Sequence, residues 1–195
     1  MLITEYHAAV IVREHGFQVA ETRLLETGGR LFLESRRFDR TGEYGRMSMI
    51  SLAAVDAEFV GSGSSWPRAL KALAGRGLIA PEHVVAAESL WCFGKFIHNT
   101  DMHLGNLSLA MDGDVFRLLP VYDMCSMGLA PRSGGEVRPY AFAPRHPERI
   151  VIDDETYGAV RRMAAGFWDS VARDGRISSE FQEFLRQGNP VDMME

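Results

Sequence analysis

At 195 residues, with 46% hydrophobic and 24% charged residues, the chain has ordinary globular composition and the length of one compact domain, or of a domain with a small appendage. A formal charge of −5 excludes the basic footprint that unaided nucleic-acid binding needs, so nucleic acid is not expected as a direct partner. Two cysteines in unlike contexts, Cys92 and Cys125, exclude a disulfide framework and suit a reducing cytoplasm, and no run of about 18 uninterrupted apolar residues offers a membrane span.

The opening stretch MLITEYHAAVIVREHGF carries acidic residues and histidines through its apolar run and lacks the charged head and cleavage site of a signal peptide. Over residues 3–15, Tyr6, Ala9, Val10 and Val12 recur with helical spacing, Thr4 is placed to cap, and Gly16 to stop the helix. Extended runs at 19–25 and 30–35 follow, and the ETGG between them suits a tight hairpin turn. The polar RRFDRTGEYGR at 36–46 reads as a connector and 48–57 as a short helix. After the flexible GSGSS, Pro67 suits the first turn of a helix reaching Ala74.

The longest helical pattern starts near Pro81 and carries Val84, Val85, Leu90, Phe93, Phe96 and Ile97. Leu107, Leu109 and Met111 then alternate with small residues, DGD turns the chain, and 115–119 returns as a second hairpin, with Asp123 just past its end. Residues 127–148 are expected as a long loop, and 154–173 and 179–187 as closing helices. Trp66, Trp91, Phe93, Phe96 and Phe167 are expected in the core. The sum is an α+β chain: a helix and hairpin, a connector, then a mostly helical body.

FIHNTDMHLGNLSL, at 96–109, sets Asn99, Asp101, His103 and Asn106 between the end of the long helix and a strand. These are poor helix-interior residues, and a chemical requirement explains them. Phosphoryl transfer from a nucleotide needs an oriented acceptor hydroxyl, a carboxylate ready for its proton, and hard oxygen ligands holding Mg²⁺ against the phosphates. Asp101 and Asn106 have the Asp-x4-Asn spacing of a kinase catalytic loop, and Asp123 stands where a second metal carboxylate belongs. A carboxylate with an ordinary pKa of about 3.9 is a weak base, which suits a loose transition state in which orientation outweighs basicity. Singly, each of these residues is equally at home as a cap or turn former; the set with its flanks favours chemistry.

NTDMHLGN followed by FRLLPVYDM, with RRFDR upstream, resembles the HipA family of bacterial serine/threonine kinases, toxin members of toxin–antitoxin pairs. The resemblance implies a protein-kinase-like fold, with 1–40 as a remnant of the N-terminal lobe and hinge and 41–195 as the helical catalytic lobe. It makes Asp101 the catalytic aspartate, Asn106 and Asp123 the Mg²⁺ ligands, and His103 a neighbour of the phosphates. Arg36 to Phe38 become the hinge that receives adenine, with Asp39 near the ribose. The implied function is transfer of the γ-phosphate of ATP to a protein hydroxyl, with a DNA-binding antitoxin as partner. In that family a lobe bearing a phosphate-covering loop and a strand lysine precedes the first helix seen here. Lys71 and Lys95 replace neither, and Glu5 is the candidate ion-pair partner of that lysine. A fragment, a truncated gene or a split protein completed by a separate chain each accounts for this.

Two rivals stand beside it: a small-molecule phosphotransferase with a similar loop, and a non-catalytic remnant that pairs with a partner chain. His103 has a second reading as a loop-fixing hydrogen-bond partner, and Phe38 reads as adenine neighbour and core anchor together. Arg36, Arg37 and Arg40 suit either phosphate or a solvated connector bridged to Glu34 and Asp39. Met124 and Met127 either line a pocket beside Asp123 or fill it.

Overall fold

The computed structural model describes residues 1–131 and 152–193, so most of the loop expected at 127–148 lies outside the described residues. Helix α1 spans Leu2–Glu14 and buries Ala8, Ala9, Ile11 and Val12, and Gly16 follows it at φ +82. Thr4 does not cap: its hydroxyl donates to the Met1 carbonyl at 2.7 Å from inside the helix. Strands β1 (Thr22–Thr27) and β2 (Arg30–Ser35) form an antiparallel hairpin with Thr27 facing Arg30. The turn is Gly28–Gly29, at φ +57 and +71, two left-handed residues whose twist matches that of the flanking strands. The strand thus begins later and runs further than the 19–25 expected, because the two glycines alone make the turn.

The connector contains a minimal hairpin, β3 (Arg40–Thr41) with β4 (Gly45–Arg46). The helix expected at 48–57 divides into strand β5 (Ile50–Ser51), helix α2 (Leu52–Val55) and a π-helical turn over Asp56–Val60. β5 exists because β6 (Ser108–Asp112) offers an edge, pairing Ile50 with Leu109, and β7 (Val115–Leu118) completes the three-stranded sheet β5-β6-β7. The wider turn ends where Asp56, buried, accepts from Ser62 N–H, Ser62 Oγ and Gly63 N–H and so secures the GSGSS loop. Burial works against the charge on Asp56, but those bonds outweigh it and hold its pKa below the usual carboxylate range.

Helix α3 (Trp66–Gly75) has Pro67 in its first turn, and α4 (Pro81–Phe96) carries the longest apolar pattern. Helices α5 (Asp154–Arg173) and α6 (Ser179–Arg186) start at Asp153 and Ser178, whose side chains accept from Thr156 N–H and Phe181 N–H. α1, α3, α4 and α5 share one hydrophobic core. Its centre is aromatic: the rings of Phe93 and Phe167 meet edge to face at 6.0 Å, and buried Trp168 donates to the Phe96 carbonyl at 3.1 Å. Trp66, Phe93, Phe96 and Phe167 are buried as expected, while Trp91 is partly exposed and stacks edge-on against Trp66. No helix among the described residues is long and apolar enough to cross a membrane.

One ionic cluster ties the N-terminal hairpin to this body. Asp174, 6% exposed at its side chain, accepts from His7 Nε2 at 2.8 Å and from Arg176 Nε and Nη2 at 2.8 and 2.7 Å, and Arg176 also meets Glu26 at 3.5 Å. The Arg176 hydrogen bonds hold the Asp174 carboxyl far below the usual carboxylate range. A depressed carboxyl pKa gives stability that is present above the unfolded-state pKa and is lost as pH falls through the folded one. Asp174→Asn is therefore expected to cost roughly 2 kcal/mol at pH 7, with the deficit shrinking below about pH 4, as read from denaturant titrations at pH 7 and pH 3.

Candidate active site

The polar stretch after α4 is shaped by its own hydrogen bonds. His98 adopts φ +60 and reverses the chain, and Asn99 N–H returns to the Gly94 carbonyl at 2.8 Å. Asn99, 3% exposed, accepts the Asp101 N–H on Oδ1 at 3.0 Å. Asn106 donates from Nδ2 to the Asp101 carbonyl at 2.8 Å, so the Asp-x4-Asn pair closes a single loop and the Asn106 Oδ1 is left for another partner. His103 starts the short 3-10 turn Leu104–Asn106 by accepting the Gly105 N–H on Nδ1 at 3.0 Å. That bond puts the proton of a neutral imidazole on Nε2, which lies 3.7 Å from Asp101 Oδ1. Asp101 and His103 are both substantially exposed at their side chains, so this loop presents its functional groups outward.

Trp66 supports the loop from below. Its ring is buried and its Nε1 donates to the His103 carbonyl at 2.8 Å, fixing the middle of the loop to the start of α3. Helical spacing of aromatics identified Trp66 as core; nothing in that spacing told where its N–H would go. Asn99 was visible as part of a polar cluster, and its burial is what turns it into a support.

Asp123 follows the second hairpin, is exposed, and stands at φ +57, a left-handed conformation that aspartate tolerates better than most residues. The two residues just before it are anchored. Val121 bridges Val19 in parallel, and the Tyr122 hydroxyl lies 3.0 Å from Ser108 Oγ on β6. Phe38 meets Tyr122 at 6.0 Å between ring centres, which brings the RRFDR connector beside Asp123. Glu5, Thr22, Ser35, Tyr122 and Asp123 line a small cavity there, and Thr22 Oγ1 is buried without a hydrogen-bond partner. Burial, and then the charge of Asp123, push the Glu5 pKa up. Burial pushes the Cys125 thiol up to about 12, and the charges of Asp123, Glu5 and Asp101 act in the same direction. Both candidate carboxylates therefore act electrostatically on one buried thiol.

The remaining candidates sit in the connector. Arg36 donates its N–H to the Glu21 carbonyl at 2.8 Å, and its exposed guanidinium lies 3.3 Å from the Glu21 carboxylate. Asp39 is held by two bonds from Arg37, at 2.8 and 2.6 Å, with Arg40 at 3.6 Å, and the Arg37 bonds lower its pKa. Glu34 instead pairs with Arg23 across the hairpin at 2.8 Å, because the strand register sets the two opposite each other. Among the described residues no group of three or more His, Cys, Asp or Glu side chains is arranged for a metal ion. An Mg²⁺ site of one amide oxygen and one carboxylate, completed by phosphate oxygens and water, makes no such demand, and the spare Oδ1 of Asn106 with the exposed carboxylate of Asp123 fits it chemically.

The family model described as HipA-like C-terminal domain matches residues 1–180. The chain is 39% identical over 188 residues to the toxin YjjJ of Escherichia coli (strain K12), covering 96% of this chain and 42% of that protein. It thus spans less than half the length of that curated relative. Among solved structures it resembles HipA of the Shewanella oneidensis MR-1 toxin–antitoxin system, which was solved with HipB and operator DNA. The TM-score is 0.64 at 16% identity, over 100% of this chain and 54% of that one. It also resembles the Helicobacter pylori proinflammatory kinase CtkA, with a TM-score of 0.61 at 14% identity over 98% of this chain and 81% of that one. The fold is accordingly α+β and protein-kinase-like, with a mostly helical lobe. The chain belongs to the HipA-like C-terminal domain family.

Proposed function

We infer that the chain is the catalytic region of a toxin-type serine/threonine protein kinase that moves the γ-phosphate of ATP to a protein hydroxyl. The observation that carries this is the closed Asp101–Asn106 loop, with its amide oxygen spare and its carboxylate exposed. Asp101 orients the acceptor hydroxyl and receives its proton. Asn106 and Asp123 would hold Mg²⁺, which when bound neutralises charge on the phosphates. His103 offers Nε2–H on the same side of the loop as Asp101 Oδ1, where a phosphate oxygen can accept it. Phe38 presents its ring beside Tyr122 as one wall for adenine; Arg36 and Asp39 flank it as hinge backbone and ribose neighbour.

In this reading residues 1–40 are a remnant of the N-terminal lobe and the hinge, and 41–195 the helical catalytic lobe. The phosphate-covering loop and lysine come from a further segment or a separate chain, with Glu5 as the lysine's partner. A DNA-binding antitoxin is the regulatory partner, consistent with the HipA structure solved with HipB and operator DNA.

The test is a radiolabelled ATP transfer assay on the chain alone and again mixed with the product encoded just upstream. Mg²⁺-dependent label on protein is expected, at least in the mixture. Label on a small alcohol with none on protein would transfer the reading to the small-molecule phosphotransferase. Silence in both, with no nucleotide bound, would leave a non-catalytic module.

A further inference from the structure

The turn that carries Asp101 and the strand exit that carries Asp123 each contain a non-glycine residue in left-handed backbone, His98 at φ +60 and Asp123 at φ +57. Such a conformation is uncommon outside glycine, even though histidine and aspartate adopt it more readily than most, and it persists where surrounding contacts impose it. Here the contacts run from one segment to the other. Gly128 N–H donates to the His98 carbonyl at 2.9 Å. The His98 imidazole lies over Gly128 so closely that a Cβ there would fall 1.6 Å from ring carbon Cδ2. Asn99, one residue on, reaches both ways: Oδ1 takes the Asp101 N–H at 3.0 Å, and Nδ2 points at Met124 Sδ at 3.8 Å. Met124 directly follows Asp123, and Asn99 is buried with its own N–H bound to Gly94, so its carboxamide has little freedom to turn.

We propose that Asn99 is a positioning residue and that the Gly128–His98 contact is the clasp that holds it, together fixing the Asp101 turn against the Asp123 segment. Neither Asn99 nor His98 touches the reacting atoms. They set the spacing of the two carboxylates, and through it the affinity of the site for an Mg²⁺-bound nucleotide; only this last step rests on the function proposed above. Outer supports of metal-binding side chains commonly change affinity by roughly 10- to 100-fold when removed.

Gly128→Ala drives a methyl group into the imidazole and opens the clasp. Adding His98→Gly removes the ring and suits the left-handed backbone, so the double variant closes it again. Two measurements on the full chain read this: hydrogen exchange of backbone amides, and calorimetric titration with Mg²⁺·ADP. Gly128→Ala is expected to speed exchange at Asp101 and its neighbours while the α5 core amides stay as in the parent. Binding of Mg²⁺·ADP is expected to weaken by roughly 10- to 100-fold, and both effects reverse in the double variant. Where Gly128→Ala yields no folded chain, Asn99→Ala is measured in the same way, with the same local change expected. Unchanged exchange at Asp101, exchange that rises equally throughout the fold, or a double variant no better than the single one overturns the clasp. Exchange that follows the expected pattern while the parent binds no Mg²⁺·ADP, alone or mixed with the product encoded just upstream, leaves the clasp standing and removes the nucleotide reading instead.

Discussion

Asp101→Asn is expected to lower phosphoryl transfer by on the order of 10²- to 10⁴-fold, or to background, while leaving the thermal unfolding midpoint within about 2 °C of the parent. The split follows from how the residue is held. Asp101 is fixed through its backbone, whose N–H is taken by Asn99 and whose carbonyl is taken by Asn106. Its side chain is about half exposed, and its ion-pair contact among the described residues is with His103, at 3.7 Å. Removing the charge therefore disturbs little that holds the fold together. It does remove the group proposed to orient the acceptor and take its proton. Equal phosphorylation by parent and variant, measured in whichever mixture supports transfer, would sink the assignment of Asp101.

The reverse split is expected at Trp66. Trp66→Ala should cost about 3–5 kcal/mol, or on the order of 10 °C in the unfolding midpoint, through lost packing against Trp91 and the core. It also strands the His103 carbonyl that Nε1 now satisfies. Trp66→Phe separates the two contributions: it retains a ring and removes the donor, at about 1–2 kcal/mol. The centre of the Asp101–Asn106 loop loses its tether, so on the proposed function transfer should fall by more than the melting point predicts. A Trp66→Phe chain with the parent's turnover and a lower melting point would make Trp66 a packing residue only.

The long elements were legible because their signals are local and repeated. The α4 pattern, both hairpins and the two closing helices follow from periodicity, paired glycines and capping side chains within a few residues of one another. The miss at 48–57 has the opposite cause. Two residues of strand carry no period of their own, and β5 forms only because Leu109, far along the chain, presents an edge to Ile50. The π-helical turn depends likewise on Asp56 reaching forward to Ser62 and Gly63. At the site, the Asp-x4-Asn spacing together with the flanking helix and hairpin marked Asp101, Asn106 and Asp123 as candidates, because the chemistry constrains their side-chain types. The supports were not legible: Asn99, Trp66 and Gly128 act through where a donor or a bare Cα falls in space, which spacing does not encode.

The burial of both cysteines has a practical consequence. Cys92 and Cys125 are each raised to about 12, so neither is a thiolate at neutral pH, and both are shielded from bulky reagents. A fluorophore maleimide should therefore react selectively with a thiol introduced at Tyr44, 85% exposed at the tip between β3 and β4. A dye at that tip, a few residues past the RRFDR segment, would report nucleotide or partner arrival by a change in emission, with no native cysteine removed.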